Sequence, residues 1–271
     1  MEKTRVCIIG CAGRMGRALL EAVYQSTNAV IGAAIETPGN EVLGLDAGQL
    51  IGPERLGVPV VSSLASVVDS VDVIIDFSEP SATLAHGEIA AQSKVPMIVG
   101  TTGFSSEQKK RLHALSERIP LVISSNYSIG VNLLFRLLRE AAAVMGDEAD
   151  IEIIEAHHRF KIDAPSGTAL SMGEEIAKTL GRDLQQHAVY GREGITGERD
   201  PKTIGFSTIR AGDIVGDHKV LFATLGERIE ISHKASNRLT FAAGAVRAAC
   251  WVVSQPQRVY DMQDVLGFNK G

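Results

Sequence analysis

Near the middle of the chain, several ionisable residues stand close together. His157 and His158 are adjacent, and Lys161 follows within the same short segment. An imidazole titrates near neutral pH and can donate a proton to a reacting atom, and a neighbouring lysine adds positive charge. These residue types at this spacing indicate a site where an anionic substrate is bound and protonated.

The residues around this segment indicate how it is positioned. Ile151–Ile154 is a β-branched run that predicts a buried strand, so we expect the histidines at a strand end. Pro165-Ser-Gly-Thr168 reads as the opening of an amphipathic helix that runs from Ala169 to Leu180. Backbone N–H groups at a helix start carry partial positive charge and suit an anion such as a carboxylate. A strand end, a charged loop and a helix start together are typical of an active site.

The amino-terminal part predicts a dinucleotide-binding domain. A short apolar strand ends in Gly10-Cys-Ala-Gly-Arg-Met-Gly16, and a helical pattern follows. The three glycines permit a tight turn, close approach of a pyrophosphate and packing of the helix on the strand. Glu36 follows the next predicted strand, at a distance that suits hydrogen bonds with the adenosine ribose. Arg14, inside the glycine loop, is placed to contact phosphate.

Strand, loop and helix signals then recur three times. The loops are Phe77–Ser81, Gly100–Gly103 and Ser124–Tyr127, each after an apolar run and before a helical pattern. This repetition predicts an α/β fold with a Rossmann-type doubly wound parallel sheet. Because ligands bind at the carboxyl ends of such strands, we expect these loops to surround a cofactor.

After Met145 the pattern changes to that of an α+β domain. Strands are predicted over residues 203–210, 218–224 and 228–233, and the last two form a hairpin through Leu225–Glu227. The apolar helical run over 239–253 is expected to return to the first domain. We therefore assign residues 1–128 and 239–271 to a dinucleotide-binding domain, and 129–238 to a substrate-binding and oligomerisation domain.

Composition argues against several classes of protein. The chain has 271 residues and a net charge of -5, which argues against nucleic-acid binding. Cys7, Cys11 and Cys250 have no paired spacing, and no apolar run is long enough to span a membrane. The first residues lead directly into a strand and lack the apolar core of a signal peptide. We expect a cytoplasmic protein without a membrane segment.

Together these motifs resemble the dihydrodipicolinate reductase family, the 4-hydroxy-tetrahydrodipicolinate reductases of bacterial lysine and diaminopimelate synthesis. The resemblance covers essentially the whole chain, and its most specific part is Glu155–Ala169. Val6–Gly16, Gly100–Gly103 and Arg210–Asp213 agree with it. It implies NADH- or NADPH-dependent reduction of a cyclic dicarboxylate in a homotetramer, with the sheet of the second domain as the contact surface.

The resemblance also implies residue roles. His157 would be the general acid and Lys161 would assist it, with the division of proton donation left open. The substrate would be bound by His158, Ser166, Gly167, Thr168 and Arg238. The cofactor would be bound by Gly10, Gly13, Arg14, Met15, Gly16, Glu36, Gly100, Thr101, Thr102, Ser124, Ser125, Asn126 and Tyr127. No metal is expected.

One departure from the family pattern concerns the cofactor. Some members carry an arginine directly after the ribose-binding acid, where it would pair with the 2′-phosphate of NADPH. This chain has Thr37 there, and Glu79 stands where some relatives have a basic residue. A carboxylate repels a phosphate, so we expect NADH to be used at least as well as NADPH.

Other functional classes fit the sequence less well. A different dehydrogenase on the same scaffold fits the glycine loop but not the segment from His157 to Thr168. A nicotinamide-sensing protein without catalysis is disfavoured by the titratable groups beside a helix start. A Ser166 hydrolase lacks the Gly-x-Ser-x-Gly turn, and a zinc site at His157 and His158 lacks further ligands at workable spacing.

Overall fold

The computed structural model describes residues 2–269. The chain divides into two compact units, one formed by Met1–Ile129 with Arg238–Gly271 and the other by Gly130–Asn237. Ile129 and Arg238, the two end residues of the predicted second domain, fall in the first unit.

The elements are as follows in chain order. The strands are β1 (Thr4–Ile9), β2 (Ala29–Ile35), β3 (Val60–Val61), β4 (Val73–Asp76), β5 (Met97–Val99), β6 (Leu121–Ile123), β7 (Asp150–His157), β8 (Ala188–Tyr190), β9 (Ile204–Arg210), β10 (Gly216–Ala223), β11 (Arg228–Ala235) and β12 (Val259–Tyr260). The α-helices are α1 (Arg14–Tyr24), α2 (Pro80–Gln92), α3 (Ser106–Ala114), α4 (Ile129–Met145), α5 (Gly167–Thr179), α6 (Leu184–His187), α7 (Leu239–Val252) and α8 (Met262–Val265). Short 3₁₀ turns cover Ala47–Leu50, Leu64–Ser66, Val68–Ser70 and Leu115–Glu117.

The first unit is built on a parallel sheet with the strand order β12-β6-β5-β4-β1-β2-β3. Its strand residues alternate between two cores. Val6 and Ile8 of β1 pack in a cluster with residues of α1 and α7, whereas Cys7 and Ile9 pack in a cluster with residues of α2 and α3. Because both faces are buried under helices, the strands read as continuous apolar runs. The predicted doubly wound sheet is confirmed.

The second unit has a mixed sheet with the order β11-β10-β7-β9-β8. The predicted hairpin is present, with β10 and β11 antiparallel from Gly216 opposite Ala235 to Ala223 opposite Arg228. Side chains of β7, β9 and β10 share one core with those of α4 and α5. The opposite sheet face includes Ile209, which is 48% exposed. One helix-covered face and one open face agree with the predicted α+β domain.

Two boundaries differ from those predicted from the sequence. Strand β7 continues to His157, beyond the predicted run Ile151–Ile154, because Ala156 pairs with Asp217 of β10 and His157 with Arg210 of β9. Helix α5 begins at Gly167 rather than Ala169, because the Ser166 side chain caps its first turn. His157 is therefore held in a sheet ladder rather than in a loop.

Over residues 2–269, no helix combines the length and apolarity that crossing a membrane requires. Within the same residues, no group of side chains is arranged to hold a metal ion. The cytoplasmic location stays a prediction.

Candidate active site

The turn between β1 and α1 is shaped by glycines. Gly10 has φ +68°, a conformation that favours glycine. A Cβ on Gly16 would lie 2.0 Å from the Gly10 carbonyl oxygen, so a side chain there cannot be accommodated without a shift. The close approach packs the start of α1 directly on the end of β1. This is the geometry that brings backbone N–H groups near a pyrophosphate.

Glu36, at the end of β2, is buried beside this turn. One carboxylate oxygen accepts a hydrogen bond from the Ala12 N–H at 2.9 Å. The other accepts from the Thr37 N–H at 2.9 Å and lies 3.1 Å from the Thr37 hydroxyl. The carboxylate therefore joins β2 to the glycine loop, and it reaches a cavity where it can accept further hydrogen bonds from hydroxyls.

Two cavities adjoin the glycine loop within the first unit. One, of about 790 Å³, is lined among others by Gly10, Glu36, Thr37 and Glu79. The other, of about 380 Å³, is lined by Ile9, Gly10, Gly13, Arg14, Met15, Gly16, Phe77, Arg238 and Phe241. The glycine-loop residues and Glu36 predicted from the sequence are thus brought together. Arg238, predicted as a substrate residue, lines the same cavity as Arg14.

The sequence did not point to a buried carboxylate next to this site. Asp76, the last residue of β4, is fully buried. Its oxygens lie 2.8 Å from the Ser78 N–H, 2.6 Å from the Ser78 hydroxyl and 2.8 Å from His86 Nδ1. His86 lines the larger cavity. The sequence did contain an indication, because Asp76 ends a predicted strand and His86 follows in the next predicted helix. No motif links these two residue types at this spacing.

The other predicted cofactor loops are held by side-chain hydrogen bonds, one to helix α2 and one to the sheet. The Thr101 hydroxyl is 2.8 Å from that of Thr83. The Tyr127 ring is buried, and its hydroxyl lies 2.9 Å from the carbonyl oxygens of both Val99 and Val122. The Tyr127 side chain therefore fixes the turn after β6, so a cofactor role for Tyr127 rests on its backbone.

In the second unit, Glu155 is the centre of a hydrogen-bond network. One carboxylate oxygen lies 2.5 Å from His157 Nδ1 and 2.8 Å from Arg210 Nη1. The other accepts from Arg210 Nη2 at 2.9 Å and from the Ser166 N–H at 3.1 Å. The Glu155 side chain is 1% exposed. A carboxylate this deeply buried needs such partners to stay ionised.

Burial and hydrogen bonding act in opposite directions on the pKa values of Glu155 and His157, and both pKa values end below their usual values. Burial alone would raise the pKa of Glu155, but the hydrogen bonds from Arg210 and His157 outweigh it and hold that pKa below its usual value. Burial lowers the pKa of His157 below 6.5, and the hydrogen bond to Glu155 works against this change. Lys161 and Arg210 lower it further through their charges.

Lys161 and His158 occupy the loop after β7. Lys161 Nζ donates to both carboxylate oxygens of Asp163, at 2.7 and 2.9 Å. That contact holds the pKa of Asp163 below its usual value. The His158 Nδ1 atom is buried and has no hydrogen-bond partner among residues 2–269. The residue as a whole is half-buried, so part of it faces solvent.

At the start of α5, the surroundings of Ser166 differ from those expected of a substrate-binding residue. The Ser166 side chain is buried, and its hydroxyl oxygen accepts from the Ala169 N–H at 3.2 Å and lies 3.1 Å from His218 Nε2. The Ser166 N–H is used by Glu155. A Cβ on Gly167 would meet no atom within 4 Å, so the open part of the helix start is at Gly167 rather than at Ser166.

His218 of β10 is a second residue that the sequence reasoning missed. It is 5% exposed, and its ring lies 5.1 Å from that of His157 in an edge-on arrangement. Burial, with a smaller contribution from His157, lowers the pKa of His218 to about 4. The ring is therefore neutral at physiological pH. Nothing in its local sequence marks it, because its neighbours, His157 of β7 and Ser166 at the start of α5, are distant in sequence.

A glycine loop on a parallel sheet, together with an acid–base group beside a helix start, defines a nicotinamide-dependent oxidoreductase that acts on an anionic substrate. Comparison with known families narrows this class. The family model described as "Dihydrodipicolinate reductase, N-terminus" matches residues 4–127, and that described as "Dihydrodipicolinate reductase, C-terminus" matches residues 130–266. The chain belongs to the dihydrodipicolinate reductase family. It is an NAD(P)H-dependent oxidoreductase of lysine and diaminopimelate biosynthesis.

Solved structures agree with this assignment. A dihydrodipicolinate reductase from Paenisporosarcina sp. TG-14, with dipicolinate bound, is 26% identical, covers 97% of this chain and 99% of its own, and has a TM-score of 0.78. An amine dehydrogenase from Mycobacterium smegmatis is 13% identical, with 96% and 95% covered and a TM-score of 0.61. GenD2 from gentamicin A biosynthesis, in complex with NAD, is 14% identical, with 98% and 91% covered and a TM-score of 0.62. The last two show the shared fold alone.

Proposed function

We propose that His157 is the general acid in the reduction of 4-hydroxy-tetrahydrodipicolinate to tetrahydrodipicolinate, and that Lys161 assists it. The observation that carries the proposal is the placement of an imidazole at the end of β7, in the same unit as a lysine and an open helix start. The substrate carries two carboxylates, and its conversion balances as loss of the 4-hydroxyl group as water together with addition of a hydride to one ring carbon and a proton to its neighbour. The nicotinamide supplies the hydride when bound, and the protein supplies the proton and the binding groups.

The substrate carboxylates are assigned to the groups around the start of α5. His158, Gly167 and Thr168 bind them, with Lys161 adding positive charge. The backbone at Gly167 is open on its outer side, which suits an approaching anion. Ser166 contributes by capping the helix and fixing its first turn, because its side chain is buried. Arg238 is kept as a candidate that contacts either the substrate or a cofactor phosphate, since it lines a cavity with Arg14.

The residues of the first unit fit a dinucleotide. Gly16 has no side chain, and a Cβ there would collide with the Gly10 carbonyl oxygen. The missing side chain permits the tight turn that a glycine loop forms under a pyrophosphate. Glu36 is available at the cavity to accept hydrogen bonds from ribose hydroxyls. Gly100 to Thr102 and Ser124 to Tyr127, at the ends of β5 and β6, would line the nicotinamide.

The cofactor preference follows from the charges on the larger cavity. Glu36 and Glu79 both line it, and Thr37 occupies the position where a basic residue would bind a 2′-phosphate. Two carboxylates disfavour an additional phosphate dianion in the same cavity. We therefore propose that NADH is used at least as well as NADPH.

A homotetramer is proposed on the resemblance, with the open face of the mixed sheet as the contact surface. On this face, Ile154 and Leu221 are half-buried, and Ile209 is 48% exposed. Apolar side chains on an uncovered sheet face are typical of a surface that is covered by a partner.

Steady-state kinetics with His157→Gln tests whether His157 is the general acid. Oxidation of NADH and NADPH is followed with enzymatically generated hydroxytetrahydrodipicolinate as substrate. We expect kcat to fall by about 10²- to 10⁴-fold with KM little changed, because a positioned general acid contributes on that order. His113→Gln, an exposed histidine in α3, is the matched control and should retain full activity.

Two results would contradict the proposal, one concerning the general acid and the other the reaction. Full activity of His157→Gln would move the acid to Lys161 or to water and contradict the proposal. A wild-type protein without turnover on either cofactor would contradict the proposed reaction itself.

A further inference from the structure

We infer that Glu155 and Arg210 are a positioning pair for His157, which fixes the ring nitrogen that carries the exchangeable proton. The inference rests on the proposed role of His157 as the general acid. Neither Glu155 nor Arg210 is assigned contact with substrate or cofactor, so both act through His157 and the loop beside it.

The tautomer of His157 follows from counting donors and acceptors. Arg210 and the Ser166 N–H can only donate, and Glu155 accepts from both of them. Glu155 is therefore an ionised carboxylate, which offers only acceptors. His157 Nδ1 faces one of these oxygens at 2.5 Å and must carry a hydrogen to satisfy it. The proton that His157 gains and loses is then on Nε2.

The space at Nε2 agrees with this assignment. A Cβ on Gly216, the first residue of β10, would lie 3.2 Å from His157 Nε2. The absence of a side chain at Gly216 leaves that side of the ring free of a close methyl group. One nitrogen of His157 is thus hydrogen-bonded to Glu155, and the other lies beside Gly216, where no side chain crowds it.

The same pair also holds the loop that carries Lys161. Arg210 Nη2 donates to the Asp163 carbonyl oxygen at 2.6 Å, and Glu155 accepts from the Ser166 N–H. The loop after His157 is therefore anchored near its far end by both members of the pair. A change at Glu155 is expected to affect the orientation of His157 and the position of the start of α5.

The charges facing His157 come from four elements. Glu155 lies on the same strand, Arg210 ends β9, His218 is on β10, and Lys161 is in the following loop. Glu155 is the negative group in this set, whereas Arg210 and Lys161 are positive. Removing the negative charge leaves the imidazolium facing cations, so a proton on Nε2 becomes harder to hold.

The test variant is Glu155→Gln, and Glu152→Gln is its matched control. Glu152 lies on the same strand and is also held by arginines, with Arg192 at 2.8 and 3.1 Å and Arg199 at 3.1 Å. Its side chain points to the opposite, open sheet face, away from His157. Because that face is the proposed contact surface, the control is compared with the wild type at equal assembly mass, measured by light scattering. The control therefore reproduces the loss of an arginine-paired carboxylate without touching the imidazole.

In kinetics, we expect Glu155→Gln to lower kcat on the order of 10- to 100-fold with a smaller change in KM, as for other residues that orient a reactive imidazole. The limb of the pH profile that reports the general acid should move to lower pH. Glu155→Asp keeps the charge and should restore part of the rate. Glu152→Gln should leave both the rate and the profile as in the wild type.

A second measurement does not need substrate. The ¹⁵N chemical shifts of the imidazoles in the free protein report which nitrogen of each ring is protonated. The wild type should show neutral His157 with its hydrogen on Nδ1. In Glu155→Gln, the amide places an NH₂ group against existing donors, so the Nε2–H form should gain population. Glu152→Gln should match the wild type.

A double variant serves as the control for misfolding of Glu155→Gln. Glu155→Gln alone leaves Arg210 without its carboxylate, which can destabilise the unit. Glu155→Gln with Arg210→Gln leaves two amides that can pair and no unmatched charge. It should again raise the population of the Nε2–H form, but its pH profile should move less than that of Glu155→Gln, because Arg210, which lowers the pKa of His157, is removed as well. Unchanged ¹⁵N shifts and an unchanged profile in the folded variants would overturn the inference, even if the reductase activity stands. An inactive wild type would contradict the proposed function, while the ¹⁵N measurement would still decide this one.

Discussion

At the scale of single residues, the site depends on groups whose charge state is set by burial. His218 illustrates this most clearly, because it is nearly inaccessible and pairs with the Ser166 hydroxyl rather than with an acid. A neutral imidazole is compatible with this environment, whereas an imidazolium is not. Its neutrality keeps a further positive charge away from His157.

The burial of His218 predicts a loss of stability in acid. Its pKa is lowered to about 4 in the folded protein from an ordinary value of 6.5, so the unfolded chain binds the proton more readily. Stability is therefore fully present above about pH 6.5 and falls as the pH drops towards 4, by about 3 kcal/mol at most. His218→Asn should flatten this dependence in chemical denaturation series at different pH values.

The exposed His113 provides the control for that experiment. His113→Asn should unfold with the same pH dependence as the wild type. An identical acid dependence in wild type and His218→Asn would show that other groups cause the loss of stability.

Cofactor preference is also decided by single residues. Glu79→Arg replaces a carboxylate on the larger cavity by a group that can bind a 2′-phosphate. We expect the NADPH to NADH ratio of kcat/KM to rise by about tenfold, which corresponds to roughly 1.4 kcal/mol. Glu117→Arg, on an exposed 3₁₀ turn, makes the same charge change elsewhere and should leave the ratio unaltered. A wild type with a large NADPH advantage would contradict the proposed preference.

At the scale of elements, the turn between β1 and α1 depends on a close backbone approach. The start of α1 meets the Gly10 carbonyl at Gly16, where there is no room for a methyl group. The turn can form only with glycine at this position unless the helix moves away from the strand.

Gly16→Ala is therefore expected to destabilise the protein by about 1–3 kcal/mol and to weaken NADH binding. Thermal unfolding and calorimetric titration with NADH measure the two effects. Gly52→Ala is the matched control, because a Cβ there meets no atom within 4 Å and Gly52 is exposed. Normal NADH affinity in a folded Gly16→Ala variant would argue against the turn as the pyrophosphate site.

At the scale of the whole molecule, the two units have different tasks. The first carries the glycine loop and Glu36, and the second carries the Glu155 network and the start of α5. The open face of the mixed sheet in the second unit is the surface that the proposed assembly uses.

The assembly predicts a measurable mass. Light scattering coupled to size exclusion should give about four times the 28.9 kDa of one chain. Leu221→Arg, on the same open sheet face as Ile154 and Ile209, should produce smaller species, because a charge would be buried between copies. Val144→Arg, on the exposed side of α4, is the control and should keep the wild-type mass. A wild type that runs as a single chain would contradict the tetramer.

Much of this protein follows from sequence alone, because the relevant signals are local. The alternation of apolar runs with helical patterns predicts the parallel sheet, and glycine spacing predicts the tight turn of Gly10–Gly16. The segment from Glu155 to Ala169 carries the family resemblance, and it lies within one strand, one loop and one helix start. Fold class, family and reaction were therefore accessible without coordinates, and the comparisons confirm them.

Only the tertiary structure decided which distant side chains meet in the site and set the orientation and charge state of its histidines. Glu155 meets Arg210 because β7 and β9 pair, and His218 meets Ser166 because β10 lies on the other side of β7. The extension of β7 to His157 and the burial of Ser166 depend on the same strand pairing. These contacts join residues up to 55 positions apart, and hydrogen bonding between strands leaves no periodic signal in the sequence that tells which distant residues become neighbours.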